Sequence, residues 1–133
     1  MAVEIQDRAT FRLCDYELRV QDYQQILVWA RRLKKDPEHI MEKLEDAEYQ
    51  AYEGDNLKLE IKGSSIVTLV WDFDELPIDD FEWVEDLSIG TIAFKNGKTN
   101  GQLAVSSPAL RRLYCSENKL KKIDIAKAPE LRL

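Results

Sequence analysis

Two carboxylates stand one residue apart at the end of an apolar run, where Val67-Thr68-Leu69-Val70-Trp71 leads into Asp72-Phe73-Asp74. Paired carboxylates are residue types suited to acid/base work or to holding a metal ion. Other catalytic chemistries lack their parts. His39 is the one histidine; it sits on the first turn of an expected helix with no second ligand or nucleophile at a helical offset, and reads as a surface or capping residue. Ser64-Ser65 and Ser106-Ser107 have no histidine beside them in sequence, so no triad can be argued. Asn96-Gly97-Lys98-Thr99 echoes the end of a phosphate-binding loop, yet Ile92 occupies the place of the glycine such a loop needs, which makes the segment a turn. Cys14 and Cys115 form neither a CxxC pair nor a zinc spacing and read as two buried thiols in a reducing compartment, which implies a cytoplasmic protein. No catalytic residue, metal site or cofactor is expected.

The Asp72-x-Asp74 segment resembles the first motif of haloacid-dehalogenase-type phosphatases, an apolar strand that ends in DxDGT. The resemblance implies a nucleophilic Asp72, an acid/base Asp74 and Mg2+. Glu75 and Leu76 replace the Gly-Thr that lets that loop wrap a phosphoryl group, and too few residues follow for the later elements of the fold. Phosphotransfer is the least favoured of three readings.

The charge pattern is more distinctive. The chain has 133 residues, a formal net charge of −6, 44% hydrophobic and 33% charged residues, which describes one soluble globular domain. Residues 1–62 carry 10 basic and 14 acidic side chains, residues 63–94 none and 8, and residues 95–133 9 and 3. A block without Lys or Arg beside a basic tail means that two surfaces face different environments, or each other. The overall acidity excludes general nucleic-acid binding and suits a basic partner. Asp79, Asp80, Glu82, Glu85 and Asp86, interleaved with Phe81 and Trp83, form an acidic-aromatic candidate surface, because aromatics supply contact area and carboxylates steer encounter. Against this stands the plainer reading of a solvated loop whose aromatics plug the core. No apolar stretch is long enough for a transmembrane span, and the first residues lack the basic and apolar regions of a secretory signal.

The elements that must position these residues are helices first. Asp22 is the expected N-cap of a helix over 23–35, with Tyr23, Ile26, Leu27, Ala30 and Leu33 at helical spacing and a basic cluster at its C-terminal end. Asp36-Pro37 starts a second helix expected to run to about Tyr52, with Ile40, Met41, Leu44, Ala47 and Ala51 inward, and Gly54 past its end. Phe11 and Leu13 alternate with Arg12 as a short strand would. Leu57, Leu59 and Ile61 alternate with charges as a half-buried strand, Gly63-Ser64-Ser65 turns the chain, and Ile66 to Trp71 is strongly β-prone.

From residue 89 the chain repeats itself. Ile92 and Leu113, Phe94 and Cys115, Pro108 and Pro129, and Leu110 and Leu131 are each 21 residues apart, while Leu103 and Ile123, and Val105 and Ile125, are 20 apart. Residues 110–131, LRRLYCSENKLKKIDIAKAPEL, resemble the bacterial leucine-rich repeats with the pattern LxxLxCxxNxLxxLDxSxxPxL. The preceding unit fits less closely, with Gly97 at the asparagine position, and a third, weaker unit begins at Ile66. The resemblance covers at most half of the chain. It implies short parallel strands near 91–95 and 112–116, a structural Cys115 in a narrow inward slot and a structural Asn118 in the loop. It also implies rows of outward side chains: Thr91 beside Arg112, Ala93 beside Tyr114, Lys95 beside Ser116, extended by Thr68, Val70 and Asp72. Such faces bind proteins in this family, and Arg112 and Tyr114 are the expected anchors.

The expected fold is therefore α+β, with a helical N-terminal element and short strands (residues 1–62) capping a short, truncated leucine-rich-repeat solenoid (residues 63–133) with a parallel strand ladder. The expected function is non-enzymatic binding of a protein partner through the repeat face and the acidic-aromatic segment. The alternative is a small acidic inhibitor or immunity-type protein that covers the basic active cleft of a toxin or nuclease. Leu131-Arg132-Leu133 stops where the next strand of the repeat should begin, which fits a truncated member, a fragment of a longer solenoid, or a last repeat that docks on something, a homodimer through that open edge included.

Overall fold

The computed structural model describes residues 10–50, 54, 56–78, 82–97, 102–114 and 122–127, of which 102–106 and 122–127 are described through their backbone. The fold is α+β: the described residues form two helices, and strands gathered into four small sheets, none of them closed among the described residues.

The described residues open with a hairpin of β1 (Thr10–Leu13) and β2 (Tyr16–Arg19), paired antiparallel through a Cys14-Asp15 turn in which Cys14 takes a φ of 55°. Leu13 and Leu18 face inward. Helix α1 (Val20–Leu33) follows without a linker. Its N-cap is Arg19 rather than the expected Asp22, and Asp22 lies inside the first turn, fully buried. Both sites suit an acidic residue near a helix N-terminus, and tertiary pairing decides between them. Asp22 Oδ1 accepts the backbone N–H of Ile66 at 3.1 Å, and its Oδ2 takes Arg19 Nε at 2.6 Å. The carboxylate thereby joins β2, α1 and the next sheet. Arg31 and Arg32 occupy the last turn, and Lys34, left-handed at φ 57°, closes α1 as its backbone N–H reaches Ala30 and Arg31 oxygens.

Helix α2 (Pro37–Asp46) starts at the Asp36-Pro37 junction as expected. It stops six residues earlier than predicted. Glu48–Gln50 is instead a strand, β3, paired antiparallel with β4 (Asn56–Lys58). Ala47 is buried, but against a sheet and not as part of a helical face.

Leu59, between strands, leads to β5 (Glu60–Lys62), which turns at Gly63-Ser64 into β6 (Ser65–Asp72). The register slips by one residue between the Glu60–Thr68 and Ile61–Ile66 pairs, which leaves Val67 as a bulge residue. The slip lets Ile66 and Leu69 both face the core despite their odd spacing. Strand β6 pairs parallel with β7 (Thr91–Lys95), and β7 pairs parallel with β9 (Arg112–Tyr114). A second parallel pair joins β8 (Gln102–Ser106) to β10 (Lys122–Lys127), with Leu103 opposite Ile123. The entries to β7 and β9 are tied to the neighbouring strand by backbone bonds: Gly90 N–H donates to Val67 O, and Arg111 and Arg112 N–H donate to Gly90 O. Buried Ser107 donates through Oγ to Ile89 O at 2.7 Å.

One main core unites helices and sheet. It runs from Leu13 and Leu18 through Ile26, Trp29, Ile40 and Met41 to Leu69, Trp71, Ile92, Phe94 and Leu110, so both expected segments, before and after residue 62, contribute to one apolar cluster. Trp29 sits at its centre, 4.8 Å from the Trp71 ring and 5.8 Å from that of Trp83. On the opposite face of the parallel sheet lies a second, small cluster of Ala47, Val70 and Ala93. What is observed is thus an α+β fold with two parallel ladders; a continuous leucine-rich-repeat solenoid is not shown by the described residues.

Candidate functional site: the outer face of the parallel sheet

The period-2 alternation of β6, β7 and β9 sends Leu69, Ile92 and Leu113, with Trp71 and Phe94, toward the main core. The intervening residues line the outer face in rows. Thr68 pairs with Thr91 and Thr91 with Arg112; Val70 pairs with Ala93 and Ala93 with Tyr114; Asp72 pairs with Lys95. These are the rows that the repeat offsets predict, with Ser116 lying outside the described residues.

The rows differ in what covers them. In the first, Thr68 and Thr91 are half-buried and Arg112 is exposed. Thr68 Oγ1 donates to Glu60 Oε1 at 3.1 Å, which extends the polar row onto β5. In the second, Val70 and Ala93 are fully buried. Their cover is the β3–β4 hairpin, which lays Tyr49 and Leu57 against them. Tyr114, one expected partner anchor, is half-buried and holds its ring 5.7 Å from that of Tyr49 at 46°. The face expected to be open is therefore partly occupied by the protein's own chain. Sequence reasoning missed Tyr49 because helical spacing had absorbed Ala47 and Ala51; the signal available was the polar-aromatic-polar pattern Glu48-Tyr49-Gln50 opposite Asn56-Leu57-Lys58. The hairpin is braced outside by Lys58 Nζ on Glu48 Oε1 at 3.1 Å. Hydrogen bonding and charge from Lys58 hold the Glu48 carboxyl below its usual range.

The acidic segment is pinned along α1. Buried Gln25 acts as a strand partner with its side chain: Nε2 donates to Glu82 O at 2.8 Å and Oε1 accepts Val84 N–H at 2.9 Å. Arg19 Nη2 donates to Asp86 O at 2.6 Å, and Arg32 lies 3.6 Å from the Glu82 carboxylate. Trp83 turns inward, edge-on to Trp29 and packed on the main core. Glu82, Glu85 and Asp86 are exposed residues, whereas Asp79 and Asp80 lie outside the described residues. Of the expected contact set, Arg112 and Tyr114 share the sheet face and Glu82, Glu85 and Asp86 share the α1-side segment.

The Asp72 carboxylate organises a turn. Its Oδ1 accepts Asp74 N–H and Asn96 Nδ2–H, each at 2.9 Å, while Phe73 N–H donates to Lys95 O and Trp71 Nε1 to Leu76 O. This is the work of an Asx turn that closes the end of the β6–β7 ladder. The described residues hold no cluster of three or more His, Cys, Asp or Glu placed to bind a metal ion. Of the two cysteines, Cys14 is exposed, contrary to the expectation of a buried thiol, and Cys115 lies outside the described residues. Partial desolvation at this exposed turn, and then the surrounding Glu38, Glu45, Asp15 and Glu42 carboxylates, push the Cys14 thiol pKa up. No helix among the described residues is long and apolar enough to cross a membrane.

No family model, curated protein or solved structure matches the chain.

Proposed function

We propose that the chain is a non-enzymatic protein-binding module whose C-terminal half is a short coil of the leucine-rich-repeat type. The parallel pairing of β6, β7 and β9 at spacings of 23 and 21 residues, and of β8 and β10 at 20, supports the coil. The observation that carries the binding reading is the polar row Glu60–Thr68–Thr91–Arg112, lined up across four strands beside the covered apolar row. Hydroxyls and a guanidinium held on a sheet are preorganised and lose little freedom on binding. The acidic segment is a second contact that steers a basic partner.

The acidic inhibitor reading has its own support. Gln25, Arg19 and Trp83 fix the backbone of 82–86 while Glu82, Glu85 and Asp86 stay exposed, a rigid acidic rim suited to a basic cleft.

A pull-down from lysate at low and high salt separates the two. The native chain is compared with one carrying Asn or Gln at Asp79, Asp80, Glu82, Glu85 and Asp86, and with Arg112→Ala/Tyr114→Ala. Loss of the partner with Arg112 and Tyr114 places function on the sheet; a partner lost with the acidic residues and eluted by salt makes the inhibitor reading the better one. Retention by both variants overturns both. For phosphotransfer through Asp72 and Asp74, a Mg2+ titration followed by tryptophan fluorescence, which Trp71 beside Asp72 would report, is the check; no response at millimolar metal is the expected result.

A further inference from the structure

We propose that the outward face of α1 is a self-association surface, on which a second copy of this chain packs antiparallel about a two-fold axis passing near Leu27. The proposal goes beyond the binding reading above and does not rest on it.

Three observations carry it. The first is an apolar strip on the open side of the helix. Helix α1 buries Asp22, Gln25, Ile26, Trp29 and Ala30, so its repeat turns Val20, Gln24, Leu27 and Arg31 away from the core. Gln24 and Arg31 are exposed, and Val20 and Leu27 are half-buried. Leu27 packs on neither apolar cluster of the described residues. One turn earlier Tyr23 stacks on Phe11 at 4.8 Å and 11°, and Phe11 is the one exposed large apolar side chain among the described residues.

The second observation is that the charges around this strip are sorted by end. Arg31, Lys34 and Lys35 are exposed at the C-terminal end of α1. The 82–86 segment runs antiparallel to the helix, since the Glu82 carboxylate meets Arg32 in the last turn and Asp86 O meets Arg19 before the first. Exposed Glu85 and Asp86 are thereby set toward the N-terminal end. Among the described residues none of these five side chains forms an ion pair. The helix dipole favours cations at its C-terminal end, but it gives no reason for the apolar strip or for unpaired carboxylates at the other end.

The third is the symmetry that this sorting permits. A two-fold interface pairs one patch with itself, so a patch basic at one end and acidic at the other is self-complementary when the copies run antiparallel. Leu27 lies midway between Val20 and Lys34, about 10 Å along the axis from each. Packing about Leu27 therefore carries the basic end of each copy to the acidic end of the other, with the apolar strips between. A basic partner for Glu85 and Asp86 would compete with the second copy.

The test is light scattering or sedimentation of the full chain across a concentration series, where a monomer–dimer equilibrium is expected. Arg31→Glu/Lys35→Glu and Glu85→Lys/Asp86→Lys should each weaken the dimer about tenfold, since like charges then face each other at both ends. An equimolar mixture of the two variants should regain the native association, because the reversed ends of one match those of the other. Leu27→Ala, which leaves every charge in place, should weaken the dimer as well and serves if a charge reversal disturbs the fold, as circular dichroism would show. A monomer at every concentration overturns the proposal. So does a mixture that stays monomeric, or a dimer that the reversals leave unchanged, as pairing through the C-terminal edge would give.

Discussion

Single side chains here hold elements together that are distant in sequence. Tyr16 on β2 donates its hydroxyl to Glu45 Oε2 on α2 at 2.7 Å. That hydrogen bond, then burial, then the carboxylate's charge push the phenol pKa up to about 12. A group whose proton is held more tightly in the folded state contributes stability below its unfolded pKa, near 10, and loses that contribution as pH rises through the folded value. Ultraviolet titration of the phenols should show one late tyrosine with a midpoint near 12, absent in Tyr16→Phe; an unchanged late step in that variant would reassign it. Lys34 offers a second test. Its φ of 57° is left-handed, a conformation that a side chain disfavours. Lys34→Gly should raise stability by about 0.5–1 kcal/mol in urea unfolding, and a loss would mean that the lysine's own contacts outweigh the relief.

Between elements, Asp22 and Gln25 on α1 do complementary work. Asp22 meets the Ile66 amide and Arg19, and Gln25 clips the backbone of 82–84. One helix thus ties down both the start of β6 and the segment that leads to β7. Removing the Asp22 carboxylate leaves the buried Ile66 N–H without its acceptor and takes the ion-pair partner from Arg19, whose guanidinium keeps its bond to Asp86 O. Asp22→Ala should cost about 3 kcal/mol, toward the lower end for a broken buried pair because Arg19 keeps some access to water; denaturant midpoints measure it. The β3–β4 hairpin is coupled in a different way. Ala93 lies fully buried between the sheet and the hairpin, so Ala93→Leu should overfill the gap and cost about 1–3 kcal/mol. Hydrogen exchange should locate that loss at 48–50 and 56–58 if the hairpin lifts by itself.

For the whole molecule, charge and core are organised independently. The three tryptophans, Trp29, Trp71 and Trp83, come from α1, β6 and the acidic segment, yet they form one contact group. Their fluorescence therefore reports on both halves at once. Urea transitions followed by tryptophan fluorescence and by far-ultraviolet circular dichroism should coincide, as expected for one cooperative unit. Separate midpoints would show that the N-terminal element and the repeat-like half unfold apart. Acidic residues 82–86 lie along α1, and part of their charge meets Arg32 within the chain. Glu85 and Asp86 are exposed, and theirs is the charge that the proposed basic partner would meet.

The sequence by itself determined the parallel rows. Thr68, Thr91 and Arg112, or Val70, Ala93 and Tyr114, fall at repeat offsets, and a period of about 21 residues that returns the chain to one ladder places equivalent residues side by side. It also determined the α2 start at Asp36-Pro37, because a proline at the first helical position needs no donor there. Only the tertiary structure decided three other matters. Helix α2 ends at Asp46 because Tyr49 gains a strand partner in Leu57 and a ring partner in Tyr114, contacts no local periodicity contains. Asp22 leaves the cap position because its partner, the Ile66 amide, is 44 residues away. The outer sheet face is partly closed by the β3–β4 hairpin, since burying Val70 and Ala93 under the chain's own Tyr49 and Leu57 removes apolar surface from water that would otherwise lie exposed.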